Sequence, residues 1–232
     1  MKNVHQLITE ISEYFIITAV LALPPLFVPQ QAGAVLHVPS LGALLFYALA
    51  SLFLYLRAWS TQKALSGHHA AARLLLCFCA LACSAALWNR IAAFAGENAV
   101  HAALPAETGR RFLFFSGIIV LACYEEMLYR FFLPEKARMI VSLVFTDFSS
   151  AISKPKKTQR GVRIFYTLAE LIPICLFALA HRYLGIYAVG NALCAAVILR
   201  TAVCKKVPIF GLCAVHAAYN AAMLIVLFNT AR

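Results

Sequence analysis

Long apolar stretches alternate with short polar linkers along this 232-residue chain. Each stretch approaches the roughly 20 mostly apolar residues that a bilayer-spanning helix needs. The short segments of alternating polarity that a membrane β-barrel requires are absent from the sequence. The pattern predicts seven transmembrane helices, at about 13–29, 41–57, 72–90, 112–133, 164–182, 184–201 and 208–228. The expected fold is therefore all-α, a polytopic membrane helical bundle.

Composition agrees with this pattern. Hydrophobic residues make up 63% of the chain and charged residues only 12%, whereas an average soluble domain has about 25% charged residues. Nearly all of the eight cysteines lie in the apolar stretches, and none belongs to a CxxC pair. This distribution favours small packing side chains over a metal site or a disulfide framework.

The net charge of +11 comes largely from basic residues in three linkers, 57–73, 134–163 and 200–207. If seven helices alternate, the three linkers share one side, which the positive-inside rule makes the cytoplasm. We therefore expect a plasma-membrane protein with a cytoplasmic N-terminus and an outside C-terminus. Membrane lipid is the expected surrounding, and no nucleic acid is expected because no binding module is recognisable. The polybasic stretch 154–163 fits a topology signal best, with anionic lipid or an acidic substrate tail as alternatives.

A signal peptide is the competing interpretation of the first apolar stretch, because 32-AGA-34 resembles a small-residue cleavage site. A signal peptide begins with a positively charged region. Here Glu10 and Glu13 outweigh Lys2 before the apolar run. We therefore expect a retained helix.

Few acidic residues and histidines lie inside the apolar stretches, away from the linkers: Glu125, Glu126, Glu170, His181 and His216. An ionisable group near the bilayer centre costs on the order of 3 kcal/mol on insertion scales, so such residues are functional candidates. One buried histidine alone is better explained by a structural hydrogen bond. Two histidines together with two adjacent glutamates favour a functional site.

The spacing of the first pair separates the two glutamates. Glu126 and Arg130 are four residues apart on one helix, which predicts an ion pair that lowers the cost of burying both. Glu125 lies about 100° around the same helix. It has no local cationic partner, and this leaves it free to act as a general base.

His216 and Asn220 have the same four-residue spacing, and both can donate hydrogen bonds to one developing oxyanion. Phe177 and His181 repeat the spacing, so the phenylalanine either packs on the imidazole or belongs to the core. His181 lies far from the start of its predicted helix, whereas Glu125 is about two turns from the cytoplasmic end of its own. We expect Pro173 to bend this helix, so that its membrane-inserted part starts later.

Three motifs therefore occur in order, 125-EEMLYR-130, 177-FALAH-181 and 216-HAAYN-220. Together they resemble the CPBP family of intramembrane proteases, the type II CAAX prenyl endopeptidases and their bacterial relatives, also called Abi proteins. The resemblance covers about residues 112–228. It divides the chain into three N-terminal helices in 1–111, which carry no motif, and a catalytic core in 112–232.

The resemblance implies a helical bundle around a conical cavity open to the cytosol. It also implies hydrolysis of a peptide bond near the membrane surface, in a protein or peptide substrate such as a membrane-associated C-terminal tail. By position, Glu125 would activate water, His181 would orient it, and His216 with Asn220 would form the oxyanion hole. The supporting positions would be Glu126, Arg130 and Phe177.

The family has been described both as zinc-dependent and as glutamic and metal-independent. Glu125, His181 and His216 could bind zinc, but no HExxH helix is present, which favours a site without a cofactor. Two other classes stay open. A proton-coupled transporter would use the same residues as a relay, although the repeated halves typical of transporters are absent. A non-catalytic scaffold or immunity protein is less favoured, because every motif position is present.

Overall fold

The computed structural model describes residues 2–29, 38–58, 68–96, 105–151 and 156–230. Residues 32–34 lie outside this description, as do the side chains of the polybasic stretch up to residue 160. The α-helices are α1 Lys2–Ile17, α2 Leu41–Ala58, α3 His68–Phe94, α4 Thr108–Glu125, α5 Leu133–Ala151, α6 Lys156–Ala180, α7 Ile186–Cys204 and α8 Ile209–Thr230. These residue ranges contain no β-strand, which confirms the all-α prediction.

Four helices in the described ranges are long and apolar enough to cross a membrane: His69–Phe94, Thr108–Phe145, Gly161–Leu184 and Ile186–Cys204. The apolar helices Leu41–Arg57 and Ile209–Ile225 are shorter. The polytopic membrane bundle is thus confirmed, while the number seven stays a prediction.

The first predicted stretch, 13–29, is not one regular helix. After α1 ends at Ile17, the chain forms a π-helical turn at Thr18–Ala22 and a 3-10 turn at Pro24–Phe27. Proline has no N–H and its ring clashes with the carbonyl four residues earlier, so Pro24 and Pro25 account for the break.

The helix predicted at 112–133 does not end there. α4 continues into a π-helical segment, Glu126–Phe132, called the π segment below, and then directly into α5. All seven residues of the π segment are buried. Pro134 stands inside the continuous helix, where it removes one backbone donor and displaces a carbonyl. A shift from α to π hydrogen bonding is one way in which a helix accommodates such a disturbance.

The π segment lies at the centre of the bundle, in contact with α2, α4, α5, α6, α7 and α8. Around it, α3 packs against α7 and α8, α2 against α4, and α5 against α6. One hydrophobic core joins residues of the first three helices, such as Ile17, Leu54 and Leu81, to residues of the last five, such as Leu199. The motif-bearing helices are therefore not packed separately from the N-terminal ones.

Four charged side chains form a cluster, called the ion layer below, where α5, α6 and α7 meet: Glu135, Arg138, Glu170 and Arg200. Arg200 donates to both oxygens of Glu170, at 2.6 and 2.8 Å, and to Glu135 at 3.1 Å. Arg138 pairs with Glu170 at 2.5 Å. The sequence pattern had placed Arg200 in a polar linker, and this assignment is wrong. The residue lies in α7 and is buried, because two carboxylates compensate its charge.

A second group of ion pairs ties α1 to its neighbours. Glu13 accepts hydrogen bonds from Arg57 of α2 at 2.6 and 2.5 Å and pairs with Lys136 of α5 at 2.7 Å. Lys136 also pairs with Glu10. The acidic residues that argued against a signal peptide therefore hold α1 against the bundle.

Candidate active site

Glu125, at the end of α4, lies between two histidines. Its Oε1 is 4.0 Å from Nε2 of His181, which follows α6, and its Oε2 is 3.7 Å from Nε2 of His216 on α8. The side chains of Glu125 and His181 are 14% and 23% exposed, whereas His216 is buried. The glutamate and His181 are thus the accessible members of the group.

A backbone hydrogen bond fixes the tautomer of His181. Its Nδ1 lies 2.9 Å from the carbonyl oxygen of Phe177. A carbonyl can only accept, so Nδ1 carries the proton and, in the neutral ring, Nε2 presents a lone pair. This lone pair and Oε1 of Glu125 face each other as two acceptors.

Glu126 lies behind Glu125 and is sealed from solvent. Its Oε1 accepts a hydrogen bond from Nδ1 of His216 at 2.8 Å and lies 3.5 Å from Nε of Arg130. The side chains of Glu126 and Arg130 are 0% and 1% exposed. The two adjacent glutamates therefore differ in role by geometry, because Glu125 can meet a substrate and Glu126 can only orient its protein partners.

The aromatic ring of Phe177 packs against most of the group. The guanidinium carbon of Arg130 lies 3.5 Å from the ring centroid, a cation–π contact. Ring centroids of His181, Tyr129 and His216 lie 4.5, 5.5 and 6.3 Å away. Phe177 thus contacts the buried cation and both imidazoles.

Residues 108–222 match the family described as type II CAAX prenyl endopeptidase Rce1-like. The chain belongs to this family. The match begins with α4, ends inside α8 and contains all three motifs, and it confirms the CPBP resemblance. No curated protein and no solved structure matches the chain. Family membership and the apolar helices together make this Rce1-like protein an integral membrane protein with a protease fold.

The structure links six of the seven predicted site residues by the contacts above. The seventh, Asn220, lies one turn beyond His216 on α8, with its side chain half-buried. His181 lies beside Glu125, and α6 is continuous through Pro173, so the later start of its membrane-inserted part stays a prediction. His181 follows Glu170 of the ion layer by eleven residues, and Glu125 precedes Glu135 of the same layer by ten. Each site residue is therefore about 15 Å of helix away from the ion layer.

Two sets of contacts had no signal in the motifs. Glu126 was expected to pair with Arg130, and it does so at 3.5 Å, but its hydrogen bond goes to His216, on a different helix. The hydroxyl of Tyr124 donates to the carbonyl of Leu21 at 2.9 Å, and the hydroxyl of Tyr129 donates to Ala22 at 3.3 Å. These tyrosines place the irregular end of the first segment beside Glu125.

Zinc would require Glu125, His181 and His216 to converge on one point. In the described ranges, no three histidine, cysteine, aspartate or glutamate side chains form a group that could hold a metal ion. The two imidazoles instead approach different oxygens of the Glu125 carboxylate. This geometry does not fit a metal centre, so the mechanism below uses only side chains and water.

Proposed function

We propose that this Rce1-like protein is an intramembrane endopeptidase in which Glu125 and His181 hold and activate the attacking water. The observation that supports this is the 4.0 Å separation between Glu125 Oε1 and His181 Nε2, which is too long for a direct hydrogen bond. A water that donates one proton to each, over ordinary hydrogen bonds, bridges acceptors about 4.4 Å apart. The gap therefore has the size and the polarity for one water molecule.

In the proposed reaction, Glu125 takes a proton from this water as the oxygen attacks the scissile carbonyl carbon. A tetrahedral oxyanion forms, and Glu125 then passes the proton to the leaving amine as the C–N bond breaks. His216 donates Nδ1–H to Glu126, and the proposed mechanism uses the ring with a second proton on Nε2. Its Nε2–H is then available to the oxyanion, with the amide of Asn220 as the second donor.

The proposed substrate is a membrane-associated C-terminal tail that enters from the cytoplasmic side. Supporting this orientation, Arg73 at the start of α3 donates to the carbonyl of Lys205 beyond the end of α7 at 2.5 Å. Both basic residues thus lie at one end of the bundle, the end that the positive-inside rule assigns to the cytoplasm. The plasma membrane is the proposed location.

Purified protein in detergent, incubated with a library of membrane-tethered C-terminal peptides, tests the proposal. Glu125→Gln keeps the shape and removes the base, so kcat should fall about 10²–10⁴-fold, the usual contribution of a general base. Thermal unfolding of this variant should resemble wild type, because Glu125 has no buried cation to compensate. Cleavage should survive a zinc chelator. Chelator-sensitive cleavage would overturn the metal-free mechanism, and a fully active Glu125→Gln would remove Glu125 as the base.

A further inference from the structure

The π segment ends at Phe132, and α-helical hydrogen bonding resumes with α5 at Leu133. In an α-helix, the carbonyl of residue 130 accepts from the N–H of residue 134. Residue 134 is proline, which has no N–H and pushes the carbonyl four residues earlier away from the helix axis. The carbonyl of Arg130 therefore needs a donor from elsewhere, because an unpaired carbonyl in a buried segment is costly.

A side chain from a different helix supplies that donor. Nη1 of Arg200 on α7 donates to the Arg130 carbonyl at 2.7 Å. The other guanidinium nitrogens of Arg200 are engaged by Glu170 and Glu135, so the ion layer fixes the direction in which Nη1 points. Arg200 is 4% exposed, and its charge is fully committed to these contacts.

We propose that Arg200 is a positioning residue for the reaction. Its guanidinium replaces the backbone N–H donor that Pro134 lacks and so holds the π segment in register. The inference rests on the proposed function, because the register matters through Glu125 and Glu126. A π turn contains one residue more than the α-turn it replaces. Loss of this extra residue from the turn would rotate the helix on one side of the turn by about 100° relative to the other side. That rotation would break the 2.8 Å hydrogen bond between Glu126 and His216.

Arg138 provides the matched control. It pairs with the same two carboxylates, Glu170 at 2.5 Å and Glu135 at 3.7 Å, but its side chain is 39% exposed. If Arg200 only compensated these carboxylates, Arg200→Lys, which keeps the cation, would retain the wild-type kcat. If Arg200 acts through the Arg130 carbonyl, only its own loss should alter catalysis.

The test compares Arg200→Met, Arg200→Lys and Arg138→Met, with and without Pro134→Ala, on a peptide that wild type cleaves. Both Arg200 variants should lower kcat about tenfold or more with KM little changed, whereas Arg138→Met should stay close to wild type. Pro134→Ala restores an N–H that can reach the Arg130 carbonyl from within the helix. It should therefore recover part of the lost kcat, although it gives Glu170 no new partner. Arg200→Lys keeps a cation in the ion layer and is interpretable if Arg200→Met does not fold.

A second readout does not depend on turnover. In protein labelled with 15N-histidine, Nδ1 of His216, assigned from His216→Gln, reports the hydrogen bond to Glu126. The Arg200 variants should shift this signal, Pro134→Ala should restore it, and Arg138→Met should leave it in place. Unchanged kcat and signal in the Arg200 variants, or no recovery with Pro134→Ala, would overturn the role of Arg200. Wild type that cleaves nothing would overturn the proposed function instead, and the histidine signal would still decide the inference.

Discussion

The same substitution, glutamate to glutamine, should have different effects on fold stability at the two adjacent glutamates. Glu126 is fully buried next to Arg130, whereas Glu125 is partly accessible and faces imidazoles. Glu126→Gln removes the negative charge and keeps the volume, so the guanidinium stays buried without compensation. We therefore predict that Glu126→Gln destabilises the fold, while Glu125→Gln leaves stability near wild type and removes activity.

The magnitude follows from the surroundings of Arg130. In the described part of the chain, none of its three guanidinium nitrogens has a hydrogen-bond acceptor, so Glu126 and the face of Phe177 are what offset its charge. Removing one partner of a buried ion pair typically costs 3–5 kcal/mol. The 3.5 Å separation exceeds that of a hydrogen-bonded pair, which places the expected loss at about 3 kcal/mol. For a chain of this size, that loss lowers Tm by roughly 6–12 °C.

Thermal unfolding of purified variants in one detergent, followed by circular dichroism, measures this loss. The double variant Glu126→Gln/Arg130→Met should recover most of the stability, because the uncompensated cation is gone, but not the activity, because His216 still lacks its carboxylate. A Tm for Glu126→Gln within about 2 °C of wild type would refute the reasoning. So would an equal drop in the Glu125→Gln variant.

Two further predictions concern contacts between segments of the bundle. Gly190→Ala should lower the free energy of unfolding by about 1–3 kcal/mol, because the new Cβ would lie 2.4–2.6 Å from the indole ring of Trp88. The control Gly109→Ala meets nothing within 4 Å and should change the free energy of unfolding by less than about 0.5 kcal/mol. Unfolding in detergent measures both, and equal effects would show that α3 and α7 do not approach so closely. Tyr129→Phe should cost about 1–3 kcal/mol, because the buried carbonyl of Ala22 loses its donor, and an unchanged Tm would mean that this hydrogen bond does not hold the first segment.

The all-α membrane fold was predictable because hydrophobic runs of the right length are a direct consequence of bilayer thickness. Helix limits were less predictable. α5 and α6 extend beyond the apolar runs along each other, with a contact between Phe145 and Phe165 at 5.4 Å. The break after Ile17 depends on how Pro24 and Pro25 are accommodated. Hydropathy reports the environment of a segment, and it carries little information on where hydrogen bonding changes from α to π.

The candidate site was predictable where a motif lies on one helix. A four-residue spacing places two side chains on the same face, and Phe177 and His181 do contact each other. Contacts between helices have no such signal. The bond from His216 to Glu126 joins residues ninety positions apart. Arg200 was interpreted as a topology signal. The sequence alone does not distinguish a charged residue that faces water near the end of an apolar run from one that faces two carboxylates.

Prolines nevertheless offer a signal for contacts of this kind. A proline inside a helix marks the carbonyl four residues earlier as an acceptor that needs a new donor. In the irregular segment after α1, the carbonyl of Leu21, four residues before Pro25, accepts from the hydroxyl of Tyr124. Within the helix formed by α4, the π segment and α5, the carbonyl of Arg130, four residues before Pro134, accepts from Arg200. In a membrane the freed carbonyl is satisfied by neighbouring helices, side chains, ordered water or a local change of helix type, and at these two carbonyls a side chain from another segment supplies the donor. Buried tyrosines and arginines with no motif of their own are therefore the residues to examine first, and in this protein both such donors act on segments next to Glu125.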